Sequence, residues 1–532
     1  MPFQLRRFLV LFFSLVFLAA CVSTDDSDES SNQEPERIQQ NDSEGGPHAV
    51  PELDFGKADN FIGTNAREFI LIGEFSAEIP SEYHDAEDED AKEEILFDAV
   101  SDQLTNIGHS IERHISSVVS EHNRDLTDEQ QEFFTYFRSD STTRTDAEVD
   151  GDSVNYEFEM EFVGSVYLMS IIAPDDAVRR TFEVPIYSSR WGGSVEDHME
   201  IEIQGSPSRD AFPSYDKLFE NGFLDIAIHF GGDYNTERLD IETVEWTVGA
   251  LLEDNWHHDS VTSFEELRID SGPFTRQLIV EGEPLEVRIS LFHAEMKDDE
   301  VDDERVGHEG LREAVEYSLE HADIFVYSGH AGTNAGFILD YGPRYEIPAD
   351  DFASMDMSDD YQIYVMDGCN TYRTYVQDLM DNPSRNFANT DIMTTVHTTP
   401  FSAGYHVIWQ LMYWFTFTDQ AGNHFPLSWQ TMIRGLNQDF PDVHYGVHGV
   451  DDAPKLNPHG GEGLMCRPCS SDADCGGGGN YCLGFEGGAG CSVGCTTDTA
   501  CGSGFRCARI FDIEDQFYIP KQCVPVSNSC AP

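Results

Sequence analysis

From Phe61 onward the apolar residues fall into successive rhythms, and each rhythm predicts an element. The run AREFILIGEF predicts a strand, and Leu96, Val100, Leu104, Ile107, Ile111, Ile115 and Val118 then recur every three or four residues. That spacing lines one face of a long helix, which is read as core packing. From Tyr156 the period changes to two: Tyr156, Phe158, Met160 and Phe162 alternate with Glu157, Glu159 and Glu161. Such alternation marks a half-buried antiparallel strand. RTFEVPIY and the Met199, Ile201, Ile203 series carry the pattern to Gly205, so residues 61–205 form an α+β domain whose role the sequence does not disclose.

A different rhythm starts near Leu224. FLDIAIHF is a short apolar run ending in Gly231-Gly232-Asp233, followed by a helical stretch from Asp240 to Asp254 and a hairpin built from RQLIV, EGEP and LEVRISLF. An acidic loop from Asp298 to Arg305 precedes a helix from His308 to His321, two apolar runs (Ile324 to Tyr327; Ile363 to Met366), a helix from Thr371, the strand DIMTTV and an apolar helix from Tyr405 to Phe417. Strands alternating with helices predict a mostly parallel sheet covered on both faces, over residues 206–456. Val326-Tyr327 and Val365-Met366 should lie on adjacent parallel strands. Both of those strands stop at a glycine beside a reactive side chain, in Ser-Gly-His330 and Asp-Gly-Cys369. Strand ends of this kind present their side chains at the carboxyl edge of the sheet, where open α/β sheets bind ligands, and the pair is a candidate Cys/His dyad. The competing reading is a buried cysteine and a satisfied histidine on neighbouring strands.

Composition narrows the partners. The chain has 532 residues, 40% of them apolar, which is enough for several cored domains. Its 99 acidic and 31 basic side chains leave a formal charge of -68, which argues against nucleic acid and anionic membrane surfaces as partners. A saline habitat accounts for such acidity; scattered calcium sites are the alternative, but the chain carries no calcium-loop motif. Arg6, Arg7, an apolar run from Phe8 to Ala20 and Cys21 read as an export signal over residues 1–21. Residues 22–60 are Asp, Glu, Ser, Asn, Gln and Pro with almost nothing apolar, a disordered acidic linker. No later stretch is long and apolar enough to span a bilayer. Residues 457–532 hold Cys466, Cys469, Cys475, Cys482, Cys491, Cys495, Cys501, Cys507, Cys523 and Cys530 among glycines and serines. In an exported chain these ten read as five disulfides whose pairing spacing cannot reveal; a zinc site at Cys466 and Cys469 competes, without a second C-x-x-C to complete it. His257-His258 and the pair His444 and His448 lack any metalloprotease pattern and read as surface or core histidines, so neither metal nor cofactor is expected.

Three resemblances add to this. Leu18-Ala19-Ala20-Cys21 resembles the lipobox of bacterial lipoproteins, which implies acylation of Cys21 and, with Val22 next, an outer-membrane destination; a simple secretory signal is the alternative. If Cys21 is lipidated and ten cysteines pair in the tail, Cys369 is left over, and a thiol outside disulfides in an oxidising compartment is a liability unless it is buried or used. The tail's spacing loosely resembles small cysteine-rich repeats of secreted proteins from predatory and social bacteria, implying a binding or anchoring module. Over residues 206–456, apolar strand-Ser-Gly-His-Ala followed by apolar strand-Asp-Gly-Cys resembles the caspase and haemoglobinase group of cysteine peptidases, with the metacaspase pattern nearest and gingipains and legumains sharing its logic. The implied architecture is a caspase-haemoglobinase-like α/β domain, preceded by the α+β domain and followed by the disulfide-rich module. The resemblance implies Cys369 as nucleophile, His330 as the group that protonates the leaving amine, and the backbone N–H groups of Cys369 and Ala331 as the oxyanion hole. It also implies that Asp367, two residues before Cys369, receives an arginine or lysine of a peptide or protein substrate; helix capping is the alternative role for that carboxylate. Ala331 replaces the family's glycine, and Asn370-Thr371 replaces Ser-Gly. A catalytically inactive binding lipoprotein, or a thiol hydrolase acting on small amides or esters, would fit the same residues.

Overall fold

A computed structural model describes residues 61–530, except 87, 124–134, 138–142, 166–171, 173–178, 190–191, 206–210, 297–306, 332–335, 420, 450–463, 477–479, 486–487, 496–500, 502–503, 513–516 and 528. The export signal with Cys21, the acidic linker and the 298–305 loop lie outside the described residues. The strands that matter here, numbered along the chain, are β1 (Ile62–Gly63), β2 (Ala66–Glu78), β3 (Thr135–Phe137), β4 (Thr143–Asp150), β5 (Ser153–Ser165), β6 (Arg179–Tyr187), β7 (Val195–Gly205), β8 (Phe223–Phe230), β9 (Phe274–Val280), β10 (Glu283–His293), β11 (Ile324–Ser328), β12 (Phe337–Tyr341), β13 (Arg344–Ile347), β14 (Gln362–Asp367), β15 (Thr390–Thr395) and β16 (Tyr445–His448).

The first sheet is antiparallel, ordered β3-β5-β2-β7-β6 with β4 also on β5. The Glu89–Asn123 helix lays Val100, Ile107, Ile111, Ile115 and Val119 into one core with Phe69, Leu71, Phe158, Phe162 and Ile201 from that sheet. The stripe ends on Val119 rather than Val118, because four residues after Ile115 returns the chain to the same helix face. Each fully buried Ile or Phe contributes about 1.5–3 kcal/mol, so this core alone accounts for the association of helix and sheet.

The second sheet is a large mixed one, ordered β1-β16-β15-β14-β11-β8-β10-β9. Its centre, β15-β14-β11-β8-β10, is parallel throughout. Alternation along the buried strands divides the covering layers: Ile324, Val326, Ile363 and Val365 pack against the Leu239–Glu253 and Phe401–Phe415 helices, while Phe325, Tyr327, Tyr364 and Met366 pack against the Glu309–His321 helix and Tyr375, Val376 and Leu379. The expected pairing is present, with Val326 opposite Val365 and Tyr327 opposite Met366. The two-residue strand β1 lies next to the first sheet in sequence yet pairs antiparallel with β16, Ile62 opposite Val447. It covers an edge of the second sheet that would otherwise present open ladder groups. The chain runs from β8 outward to β10 and then returns to the other side of β8 as β11. That reversal makes the carboxyl ends of β8 and β11 a topological switch point, the place where sheets of this class leave a crevice.

The tail is a separate disulfide-rich module, closed by Cys466–Cys530, Cys469–Cys482, Cys475–Cys491, Cys495–Cys507 and Cys501–Cys523. Cys466 and Cys469 are both oxidised, which removes the zinc alternative. Arg434 reaches Asp472 at 2.7 Å, and the Ser428 N–H donates to Gly476 at 2.8 Å, fastening the module to the Trp429–Asp439 helix. Among the described residues no helix is long and apolar enough to cross a membrane.

Candidate functional site

Three strand ends meet at the switch point. β11 and β14 pair to Ser328 opposite Asp367, positions 39 residues apart, and the Gly329 N–H donates to the Asp367 carbonyl at 3.0 Å. His330 and Cys369 carry the same offset, so they occupy corresponding positions just beyond the paired ends. Glycine is needed at these ends because the backbones nearly touch. A Cβ on Gly368 would sit 2.7 Å from the Gly329 oxygen and 2.9 Å from the Ala331 Cβ, and one on Gly329 would sit 2.8 Å from the Gly231 Cα. The sequence thus packs β8, β11 and β14 tip to tip through three glycines.

His330 is held on several sides. Its Nε2 lies 3.1 Å from Oδ1 of Asp233, whose side chain has no exposure at all, while the imidazole is 14% exposed. Oδ1 of Asp233 also accepts from the Asn235 backbone N–H and side-chain amide, at 3.0 and 2.8 Å; its other oxygen, Oδ2, is buried without a hydrogen bond. Tyr234 stacks on the imidazole with ring centres 4.8 Å apart, and Phe401 and Tyr341 meet it edge-on at 4.9 and 5.4 Å. Below the ring, the Tyr327 hydroxyl donates to the His330 carbonyl at 2.9 Å and accepts from the Ile338 N–H at 2.9 Å. His308 anchors the β12–β13 hairpin that carries Tyr341, its Nε2 lying 2.8 Å from buried Asp340. With Nε2 donating to Asp233, Nδ1 is the nitrogen that keeps a lone pair. Asp233 escaped the sequence analysis. Its signal was the one that singled out His330, a polar residue just past an apolar strand and glycine, but Gly-Gly-Asp also reads as an ordinary turn.

Cys369 stands outside the five disulfides and is half-buried, with Sγ 3.9 Å from the Thr399 carbonyl. Threonines fix the turn that carries it. The hydroxyls of Thr395 and Thr399 both donate to the Gly368 carbonyl, the latter at 2.8 Å, and Thr371 donates to the Met366 carbonyl at 2.8 Å. Asn370 adopts a left-handed φ of 56° and sends its N–H to the His397 carbonyl at 3.0 Å. In a trans peptide the C=O and N–H point opposite ways, so anchoring the Gly368 carbonyl aims the Cys369 N–H away from Thr395 and Thr399. Three residues on, the Tyr372 hydroxyl donates to buried Glu68 of β2 at 3.1 Å, and Phe61, Tyr372 and His448 pack ring to ring, which ties the first sheet to this turn.

Asp367 falls beneath the tips. Its carboxylate, 3% exposed, accepts from the Ser328 hydroxyl at 2.7 Å and the Tyr445 hydroxyl at 3.4 Å, and burial pushes its pKa up to about 6. The Phe401–Phe415 helix closes over it at Gly404, where an added Cβ would lie 2.8 Å from the Ser328 oxygen and 3.4 Å from Oδ2 of Asp367. It does not cap the Thr371 turn. Ala331 packs beside Gly368, and residues 332–335 after it lie outside the described residues. His257 pairs with Asp259, His258 accepts from the Ser260 and Val261 N–H groups, and His448 lies in the Phe61–Tyr372 ring cluster, so these histidines have structural partners. Among the described residues the side chains spaced closely enough to ligate a metal are cysteines already in disulfides.

Comparison with family models, with curated proteins and with solved structures finds no match to this chain.

Proposed function

We propose that the protein is a thiol-dependent endopeptidase of the caspase and haemoglobinase type, held to the membrane by a lipid on Cys21. The observation that carries the reading is that His330 and Cys369 each follow by two residues the last paired positions of adjacent parallel strands, Ser328 and Asp367, with buried Asp233, just past the end of β8, within hydrogen-bond distance of the imidazole. In this reading Sγ of Cys369 gives its proton to Nδ1 of His330 and attacks the scissile carbonyl, forming an S–C bond. The tetrahedral oxyanion is met by the N–H of Cys369, whose direction Thr395 and Thr399 fix, and by the N–H of Ala331. As the C–N bond breaks, His330 returns the proton to the leaving amine. Water then attacks the thioester, His330 takes its proton, and the acid product leaves with the thiol restored. Asp233 acts through His330: it holds the ring and stabilises the imidazolium.

The preference for arginine or lysine before the scissile bond rests on Asp367. A substrate cation could reach that carboxylate only if the Phe401–Phe415 helix, which closes over it at Gly404, gave way, and it would then add a charge-assisted partner to a buried anion that accepts from the Ser328 and Tyr445 hydroxyls. A fluorogenic peptide library, varied at the residue before the bond, tests the reading. Turnover should be confined to Arg and Lys, abolished in Cys369→Ala and His330→Ala, and lowered about 10²- to 10⁴-fold in Asp233→Asn. Hydrolysis that survives in Cys369→Ala refutes the assignment. Absence of turnover in the wild-type protein would make this a binding protein on the same fold.

The lipid anchor rests on the Leu-Ala-Ala-Cys21 sequence, and an outer-membrane location on Val22 after it. Mass analysis of the N-terminal peptide from the membrane fraction tests them: a diacylglyceryl-modified Cys21 supports the anchor, and an unmodified peptide beginning elsewhere excludes it.

A further inference from the structure

Of the eight large apolar side chains most exposed among the described residues, three lie on one pair of packed helices: Trp246 (51%), Trp409 (36%) and Tyr413 (50%). They form a line. On the Phe401–Phe415 helix, Phe401, Tyr405, Trp409 and Tyr413 recur every four residues; Trp246 of the Leu239–Glu253 helix meets Tyr405 edge-on at 5.8 Å, and Phe417 extends the row from Tyr413 at 5.3 Å. The row begins at the candidate site, since Phe401 packs on the imidazole of His330. Four residues on a helix fall one above another with a slow drift, so these rings form a track about 18 Å long from Phe401 to Tyr413, enough for about five residues of extended chain. Trp and Tyr side chains left in water contribute no burial energy to the fold, so their concentration here marks a binding surface.

Charge chooses the occupant. Neither helix carries a lysine or arginine, whereas the Leu239–Glu253 helix exposes Glu245 and Glu253, the latter close enough to Tyr405 to add to burial in raising its pKa; Asp254, which follows, is already paired with Arg276 at 2.6 Å. A membrane-surface helix would reverse that pattern, with cations flanking its rings. Aromatic faces bordered by carboxylates suit arginine and lysine side chains, which stack on the rings and pair with the acids. We propose that this aromatic track is an exosite that binds an extended, basic segment of the polypeptide substrate and leads it to His330 and Cys369. The proposal rests on the peptidase reading above, and its test separates the two.

The test uses the full-length protein with Trp246, Trp409 and Tyr413 all changed to alanine, in wild-type and Cys369→Ala backgrounds. Binding of the Cys369→Ala forms to an unfolded basic protein (fluorescently labelled, reduced and carbamidomethylated lysozyme) is followed by anisotropy, with carbamidomethylated α-lactalbumin as the acidic counterpart. The expected result is about tenfold weaker binding of lysozyme in the triple variant, weak binding of α-lactalbumin throughout, and a raised KM for lysozyme with unchanged kinetics on a short fluorogenic peptide. Replacing the same residues by Phe should retain most of the affinity, which excludes misfolding as the cause. Equal binding by parent and triple variant, equal binding of the acidic and basic chains, or a track-dependent association with phosphatidylcholine vesicles instead of lysozyme would each overturn the exosite. Failure of the peptidase reading shows separately, as no wild-type turnover, and leaves the binding result standing.

Discussion

Replacing Asp367 by asparagine isolates the energetic position of the buried carboxylate. In the folded protein the group is raised from the ordinary aspartate value of 3.8 to about 6, with burial as the cause and the Ser328 and Tyr445 hydroxyls opposing it. Between those values the native state holds a proton that the unfolded chain has released. The group's stabilising contribution is therefore complete below pH about 3.8 and is lost as pH rises through about 6. Roughly two pH units at about 1.4 kcal/mol each amount to about 3 kcal/mol. Asparagine keeps the shape and an acceptor oxygen for Ser328 but carries no charge. Urea unfolding of wild type and Asp367→Asn should give similar stabilities at pH 4 and a variant more stable by about 1–3 kcal/mol at pH 7.5. Taking the difference cancels the pH dependence of the other acids. A difference that does not change with pH, or a variant that is less stable at pH 7.5, refutes the reasoning. Greater stability accompanied by lost cleavage after arginine and lysine would identify a charge maintained for function.

Other consequences follow from the same geometry. Gly368→Ala places a Cβ 2.7 Å from the Gly329 oxygen; denaturant unfolding should show a loss of about 1–3 kcal/mol, and turnover should fall more steeply than stability because the tips separate. Peptide mapping without reduction should recover the five tail bridges and no bridge to Cys369. Changing Cys466 and Cys530 to serine opens the bridge with the widest sequence separation, 64 residues; the tail should lose about 4 kcal/mol, read as earlier proteolysis within residues 464–530. Tyr372→Phe removes the hydroxyl that donates to buried Glu68; global unfolding should shift by about 1–3 kcal/mol, and a shift below about 0.5 kcal/mol would show that this brace between the first sheet and the Cys369 turn carries little energy.

Much of the second sheet was legible because its central strands are buried on both sides and read as unbroken apolar runs cut by glycine. The β11–β14 adjacency followed from strand-helix alternation, and the 39-residue offset of His330 and Cys369 coincides with their register. The pairing of β1 with β16 was not legible, since two residues have no periodicity. Asp233 was hidden by a turn-like context and by lying 97 residues from its histidine. The Thr395 and Thr399 hydroxyls gave no signal, because a threonine in a strand reads as β propensity and one in the loop after it as an ordinary turn residue until the carbonyl each reaches is known. The aromatic track looked like part of an apolar helix; its outward face emerges only when the core has claimed Val407, Ile408, Leu411 and Met412. For the disulfides, parity could establish that the tail cysteines pair but not which with which.

The central claim is that His330 and Cys369 act as one chemical unit with Asp233 behind them, and the alkylation rate of Cys369 tests it most directly. Folded wild-type, His330→Gln and Asp233→Asn proteins are exposed to iodoacetamide at pH 6.5, and the label on the Cys369 peptide is followed by mass spectrometry. The account predicts labelling of wild type about tenfold or more faster than His330→Gln, with Asp233→Asn between them, because the imidazole takes the thiol proton and the carboxylate supports it. Equal rates in all three proteins, or a wild-type thiol that reacts only after unfolding in urea, would contradict it.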